Sequence, residues 1–154
     1  MEIRKAKIEE FDQIFMLGYD VWGEDASICE YLDDCKNSEK YQSGEWYVLV
    51  NDEVVLSALI VYSKCFGLAD NYHGIGSIAT DPKHRKKGYA SKLISYFCQK
   101  LKDEGISGLY LYSDIDDNFY KKLGFDVVLK DYGTCMINTF CSKEALPDNI
   151  PNYF

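Results

Sequence analysis

Apolar residues recur along the chain at two spacings, and the switches between them outline its elements. Over residues 7–20, Ile8, Phe11, Ile14, Phe15 and Leu17 follow the spacing of a helix that buries one face. Residues 24–40 keep only Ile28, Tyr31 and Leu32 on such a face and predict a weaker helix. The stretch EWYVLVNDEVVLSALIVY is two β-rich runs flanking Asn51-Asp52, the pattern of a hairpin. GIGSIAT reads as a third strand, ended by Pro82, which cannot donate to a ladder. Gly88 begins a helix with Leu93, Ile94, Phe97, Cys98 and Leu101 at its apolar positions, and Gly105 stops it. SGLYLYS is a strand, DDNFYKKLGF a short helix ending at Gly124, and DVVLK and TCMINTF two further strands. A first strand over Glu2 to Ala6 fits as well, and the C-terminal PDNIPNYF reads as irregular.

Early strands able to pair antiparallel thus precede a strand–helix–strand unit. A helix joins the two strands of that unit, so they are expected to run parallel with a right-handed crossover. The expected class is mixed α/β, with helices on both faces of a mixed sheet. The 154 residues show no internal repeat, low-complexity tract or Pro/Gly-rich linker, so one domain over residues 1–154 is expected.

An apolar content of 47% predicts a folded chain. No apolar run approaches the roughly 18 residues that span a bilayer. The opening MEIRKAKIEE lacks the apolar stretch of a secretory leader. A cytoplasmic protein without membrane association is expected. Six cysteines, at 29, 35, 65, 98, 135 and 141, form no CxxC pair, and the chain has only 2 histidines. That spacing predicts no metal site and reduced thiols, several of them in the core.

Charge changes the picture at one place. The net charge is -8, yet Lys83, His84, Arg85, Lys86 and Lys87 stand together just before Gly88. The acidic balance and the lack of a second basic patch argue against nucleic acid as the partner. A helix N-terminus presents unpaired N–H groups and about half a positive charge, which suits phosphate. Gly88 and Ala90 keep bulky Cβ atoms out of the way, and Arg85, Lys86 and Lys87 are expected to add mobile positive charge. The turn therefore reads either as a site for a phosphorylated ligand or as a solvated basic loop. It carries neither a Walker A motif nor the glycines of a dinucleotide fingerprint.

The segment DPKHRKKGYASKLISYF resembles the acyl-CoA loop of the GCN5-related N-acetyltransferases (GNAT), whose pattern is [RQ]-x-x-G-x-[GA] between a strand and a helix. Here Arg85, Lys86, Lys87, Gly88, Tyr89 and Ala90 match it. FYKKLGF, residues 119–125, is similar to the family's Y-x-x-L-G-F segment after the next strand. The resemblance is sharp over roughly residues 74–128 and implies a GNAT-like acyl-CoA N-acyltransferase fold. That fold has a central, mixed but mostly antiparallel sheet, splayed between two parallel strands, with helices on both faces.

The resemblance further implies acetyl-CoA as cosubstrate and an amine as acceptor. Backbone amides of Arg85, Lys86, Lys87, Gly88, Tyr89, Ala90 and Ser91 would hold the pyrophosphate. Ile78, Ala79 and Thr80 would pair their backbone with the pantetheine arm and the acetyl carbonyl. Tyr120 would protonate the leaving thiolate as general acid; its structural alternative is a core tyrosine beside Phe119. Where some members carry a glutamate base, this chain has Gly74, with His73 beside it. His73 and Asp114 are the candidate bases, against a loop histidine and a helix cap. Direct attack in a ternary complex needs no covalent cysteine. A homodimer is a further implication of the resemblance.

Two acidic clusters bear on the acceptor. They are Glu24, Asp25, Glu30, Asp33, Asp34 and Glu39, and then Asp114, Asp116 and Asp117. Carboxylates on the acceptor side would attract a small cationic amine or a lysine side chain; the alternative is ordinary surface acid. A non-catalytic acyl-CoA-binding or protein-interaction module on the same fold is the competing function.

Overall fold

The two β-rich runs EWYVLVN and VVLSALIVY form the central hairpin. In the computed structural model, which describes residues 1–131, 133–140 and 149–154, β2 (Glu45–Asn51) pairs antiparallel with β3 (Val54–Tyr62). The turn sits one residue later than the pattern suggests. Asn51 faces Val54, and Asp52 and Glu53 close the loop with φ of 47° and 68°. Two successive positive φ values mark a type I′ turn, whose twist matches the flanking strands. β1 (Glu2–Lys5) adds antiparallel to β2, as the first-strand reading expects.

β4 (Tyr72–Thr80), β5 (Gly108–Ser113), β6 (Asp126–Asp131) and β7 (Gly133–Thr139) complete a mixed sheet of seven strands in the order β1-β2-β3-β4-β5-β7-β6. β4 and β5 are parallel, as the helix between them requires. Their register runs through Tyr72–Gly108, His73–Leu109 and Gly74–Tyr110. The pairs β5/β7 and β6/β7 are antiparallel.

The chain packs as two compact units, residues 1–61 with 77–93 and residues 62–76 with 94–154. In the first, the helical pattern of residues 7–20 is broken into a 3-10 turn at Ile8–Glu10, α1 (Phe11–Met16) and α2 (Tyr19–Trp22). The break falls at Gly18, which leaves helical geometry at φ −106° and ψ 5°, and a Cβ there would lie 2.1 Å from the Trp22 ring. The weak helix expected over residues 24–40 is likewise two, α3 (Ile28–Asn37) and α4 (Glu39–Gln42). Ser27 and Ser38 cap them, their hydroxyls accepting from the amides of Glu30 and Tyr41 at 3.2 Å each. The buried face of α3 is Tyr31 and Cys35, and Ile28 stays exposed in the first turn. Phe15, Tyr41 and Trp46 form an aromatic cluster, with ring centroids 5.2–5.8 Å apart.

In the second unit, Tyr62, Phe66, Tyr112 and Phe154 cluster in the same way. Residues 149–154 are irregular, as expected, but fastened. The Asn152 amide donates to the Phe66 carbonyl at 2.7 Å, and the Tyr112 hydroxyl donates to the Pro151 carbonyl. The helix expected after Gly88 is α5 (Tyr89–Asp103), whose first turns belong to the first unit. Gly105, at φ 84°, ends it, with Ile106 N–H bonded back to Leu101 O. Cys35 and Cys135 are buried, all five described cysteines are free thiols, and Cys141 lies outside the described residues. Among the described residues, no helix is long and apolar enough to cross a membrane.

Glu10 is a buried carboxylate in the first unit, 6% exposed. It accepts both arms of the Arg4 guanidinium, at 2.7 and 3.0 Å, and the Lys7 amide at 2.8 Å. The hydrogen bond from Arg4 holds its pKa below the ordinary 4.5. A depressed folded-state pKa contributes stability above the unfolded value and loses it as pH falls through the folded one. We therefore expect Glu10→Gln to lose about 2 kcal/mol at pH 7 in urea unfolding. The deficit relative to the native chain should shrink as pH is lowered below about 4.5, the ordinary carboxylate value.

Candidate active site

The end of β4 is fixed before the basic turn begins. The buried Ser57 hydroxyl donates to the Ala79 carbonyl at 2.9 Å and lies 3.0 Å from the Thr80 hydroxyl. The Asp81 amide donates to Leu56 O at 2.9 Å, and the Asp81 carboxylate accepts from the Lys83 amide at 2.9 Å. That cap, with Pro82 at the first position, sets a 3-10 turn over Pro82–His84.

Residues 85–91 then reverse the chain into α5. Lys86 and Gly88 take φ of 63° and 81°, and a Cβ on Gly88 would meet nothing within 4 Å. Among the described residues, the backbone N–H groups of residues 85–91 have no acceptor. Lys86, Lys87 and Gly88 are exposed, and the first turn of α5 carries no acid. Unpaired amides, a helix N-terminus and two lysines are the donor set that phosphate oxygens require.

Arg85 behaves differently from its neighbours. Its Nε donates to the Thr80 carbonyl at 3.0 Å. Nη1 and Nη2 donate to the two Asp20 oxygens at 2.6 and 2.8 Å, and Nη2 also reaches the Leu17 carbonyl at 3.2 Å. The expectation of a mobile charge at this position gives way to a fixed one. The Arg85 hydrogen bond holds the Asp20 pKa below its usual value. Asp20 and Ser57 are residues that sequence reasoning missed. Asp20 lies 65 positions from Arg85, and neither motif includes it.

The other candidates lie in the second unit. α6 (Asp117–Lys121) carries Tyr120, and Asp116, not Asp114, caps it by accepting from the Asn118 amide at 3.0 Å. Gly124 at φ 97° lets the chain turn from α6 into β6, and Asn138 ties the turn by donating to Leu123 O at 3.3 Å. Tyr120 is buried against Phe119 and Phe125, at centroid distances of 5.0 and 6.2 Å. Burial, with the Asp114 carboxylate second, pushes its phenol up to about 12. The group keeps its proton throughout the physiological range. Asp114 is exposed just past β5. His73 sits on β4 with Nδ1 buried and unpaired among the described residues. Burial lowers its pKa below 6.5, against a smaller raising effect of Glu104, so its imidazole is neutral at neutral pH.

Of the first acidic cluster, Glu24, Asp25, Glu30 and Asp34 line one cleft of about 680 Å³ in the first unit, with Trp22, Tyr31 and Tyr41. Asp33 and Glu39 lie outside its lining. In the second cluster, Asp117 pairs with Lys130 at 3.1 Å. Among the described residues, no group of three or more His, Cys, Asp and Glu side chains is arranged to hold a metal ion.

The family model described as "Acetyltransferase (GNAT) domain" matches residues 2–128. No curated protein matches the chain in sequence. Solved structures share its fold. A GNAT family acetyltransferase from Brucella melitensis, in complex with acetyl-CoA, is 20% identical over 99% of this chain and 95% of its own, with a TM-score of 0.69. The PaiA N-acetyltransferase from Thermoplasma acidophilum, in complex with coenzyme A, is 17% identical over 90% and 98%, with a TM-score of 0.68. The ribosomal-protein-S18-alanine N-acetyltransferase from Escherichia coli is 14% identical over 95% and 98%, with a TM-score of 0.66. At these identities the likeness is one of fold.

The open space at Gly88 isolates backbone strain from steric clash. Gly88→Ala is expected to destabilise the chain by about 1 kcal/mol, read from the urea midpoint, because φ stays positive with a Cβ present.

Proposed function

Because this chain belongs to the GNAT acetyltransferase family, matching its domain model over residues 2–128, we propose that it moves an acetyl group from acetyl-CoA to a primary amine. The observation that carries this reading is the open turn of residues 85–91, with its unpaired amides and exposed Lys86 and Lys87. Those amides take the pyrophosphate oxygens, and Ile78, Ala79 and Thr80 offer backbone groups to the pantetheine arm. The acceptor nitrogen attacks the thioester carbonyl directly; a C–N bond forms and the C–S bond breaks.

Tyr120 is the donor to the departing sulfur. A phenol held near 12 is a weak acid, so its part is chiefly a hydrogen bond to the developing thiolate. The amine proton goes to a base. No side chain fits at Gly74, where a Cβ would lie 2.5 Å from the Phe154 ring. His73, neutral at neutral pH, and Asp114 are the two groups proposed for that role. The acceptor is a small cationic amine or a lysine side chain. The cleft lined by Glu24, Asp25, Glu30 and Asp34 supports this, since converging carboxylates raise the local concentration of cations.

Thermal unfolding with and without acetyl-CoA tests the donor. At 100 times its dissociation constant, acetyl-CoA should stabilise the fold by about 2.7 kcal/mol and raise the midpoint by several degrees, whereas ATP should not. No shift would overturn the reading. Thiol release with an acceptor panel should then favour polyamines, with a rate that falls as salt is added. Preference for neutral or acidic amines would rule the cleft out as the acceptor site.

Tyr120→Phe should lower kcat roughly 100-fold with acetyl-CoA affinity unchanged. Because the phenol titrates only near 12, the native pH–rate profile should show no loss from Tyr120 ionisation below about pH 11. Unchanged turnover in the variant would return Tyr120 to the core.

A further inference from the structure

The first residue of the basic turn does not present its charge to the ligand side. Arg85 spends its guanidinium on three segments of the first unit: the Leu17 carbonyl just past α1, the Asp20 carboxylate in α2, and the Thr80 carbonyl that ends β4. The Asp20 contact is bidentate, the geometry in which an arginine and a carboxylate fix each other's orientation. The Leu17 carbonyl belongs to a helix end that needs a donor from outside the helix. One side chain thus joins the α1–α2 junction to the turn.

The anchorage of Arg85 bears directly on the next residue. Lys86 adopts φ 63°, a left-handed conformation that side-chain-bearing residues hold only when their surroundings impose it. Arg85, at φ −67° and ψ 158°, is the residue that leads into it. With its side chain tethered on both sides, Arg85 fixes the backbone from which the next amides project. Untethered, the turn would sample other conformations, and each binding event would have to order it.

We propose that Asp20 is a positioning residue for the acyl-CoA turn. Acting through Arg85, it holds the amides of residues 86–91 in the arrangement that binds pyrophosphate. The role rests on acetyl-CoA being the donor, and it belongs to a residue that neither motif contains. Positioning and charge predict opposite signs. Asp20 is an anion near a site for a polyanion, so charge alone says that its removal should tighten acetyl-CoA binding. The released Arg85 would add to that attraction. Positioning predicts the reverse.

The test is calorimetric titration of the whole chain with acetyl-CoA, paired with steady-state kinetics. Asp20→Asn should weaken acetyl-CoA binding roughly 3- to 10-fold, the range of a hydrogen-bonded surface ion pair. The KM for acetyl-CoA should rise with it, while kcat and the KM for the amine hold. Asp20→Glu, which keeps the carboxylate, should restore most of the affinity. Arg85→Lys, which keeps the charge and loses the fork, should weaken binding as Asp20→Asn does, and decides the matter if Asp20→Asn does not fold. Unchanged or tighter binding in Asp20→Asn or Arg85→Lys would overturn the proposal. So would an Asp20→Glu chain as weak as Asp20→Asn. Failure of the unaltered chain to bind acetyl-CoA would instead overturn the donor reading.

Discussion

Backbone N–H groups that have no acceptor within the fold are costly unless water or a ligand takes them, and the turn between β4 and α5 gathers a run of them in one place. The surrounding first unit is arranged around keeping that run open. Ser57 and the Leu56 carbonyl hold the end of β4, Asp81 and Pro82 set the entry, and Arg85 ties the turn to Leu17 and Asp20. Gly88 takes φ 81° without the strain that a Cβ would add there. On a chain of net charge -8, the densest run of positive charge stands where backbone geometry already favours an anion.

The second unit holds a buried tyrosine by different means. Tyr120 is buried between two phenylalanines on a helix of five residues, too short to be stable by propensity. Its position comes from the Asp116 cap, the reversal at Gly124 and the Asn138 amide beneath it. Burial keeps the phenol protonated throughout the physiological range. Phe154 fills the space over Gly74 and removes any side chain from that point of β4.

The strongly patterned parts of this fold were legible because the pattern is a consequence of burial. α5 buries one face and keeps its helical period in the sequence, while β3 is buried on both faces and reads as a continuous apolar run. Glycines with positive φ were legible for a local reason: at 88, 105 and 124 they end or begin a helix, where a left-handed residue is needed. Boundaries set by contacts were not. Residues 7–20 read as one helix because their apolar spacing is continuous, yet the helix breaks at Gly18, whose backbone leaves helical geometry. The hairpin turn moved by one residue because Asp52 and Glu53 accept left-handed φ without the glycine that usually announces it.

The site divides along the same line. By itself the sequence determined where the glycine turn into α5 would stand and where a tyrosine would follow on α6, because spacing within a strand–turn–helix is local. Only the tertiary structure decided what Arg85 does, that Asp116 caps α6 where Asp114 was a candidate, and which four acids share a cleft. Those outcomes depend on side chains meeting at hydrogen-bond distance through the fold, in the case of Arg85 and Asp20 across 65 positions, and no local period or propensity encodes such a meeting.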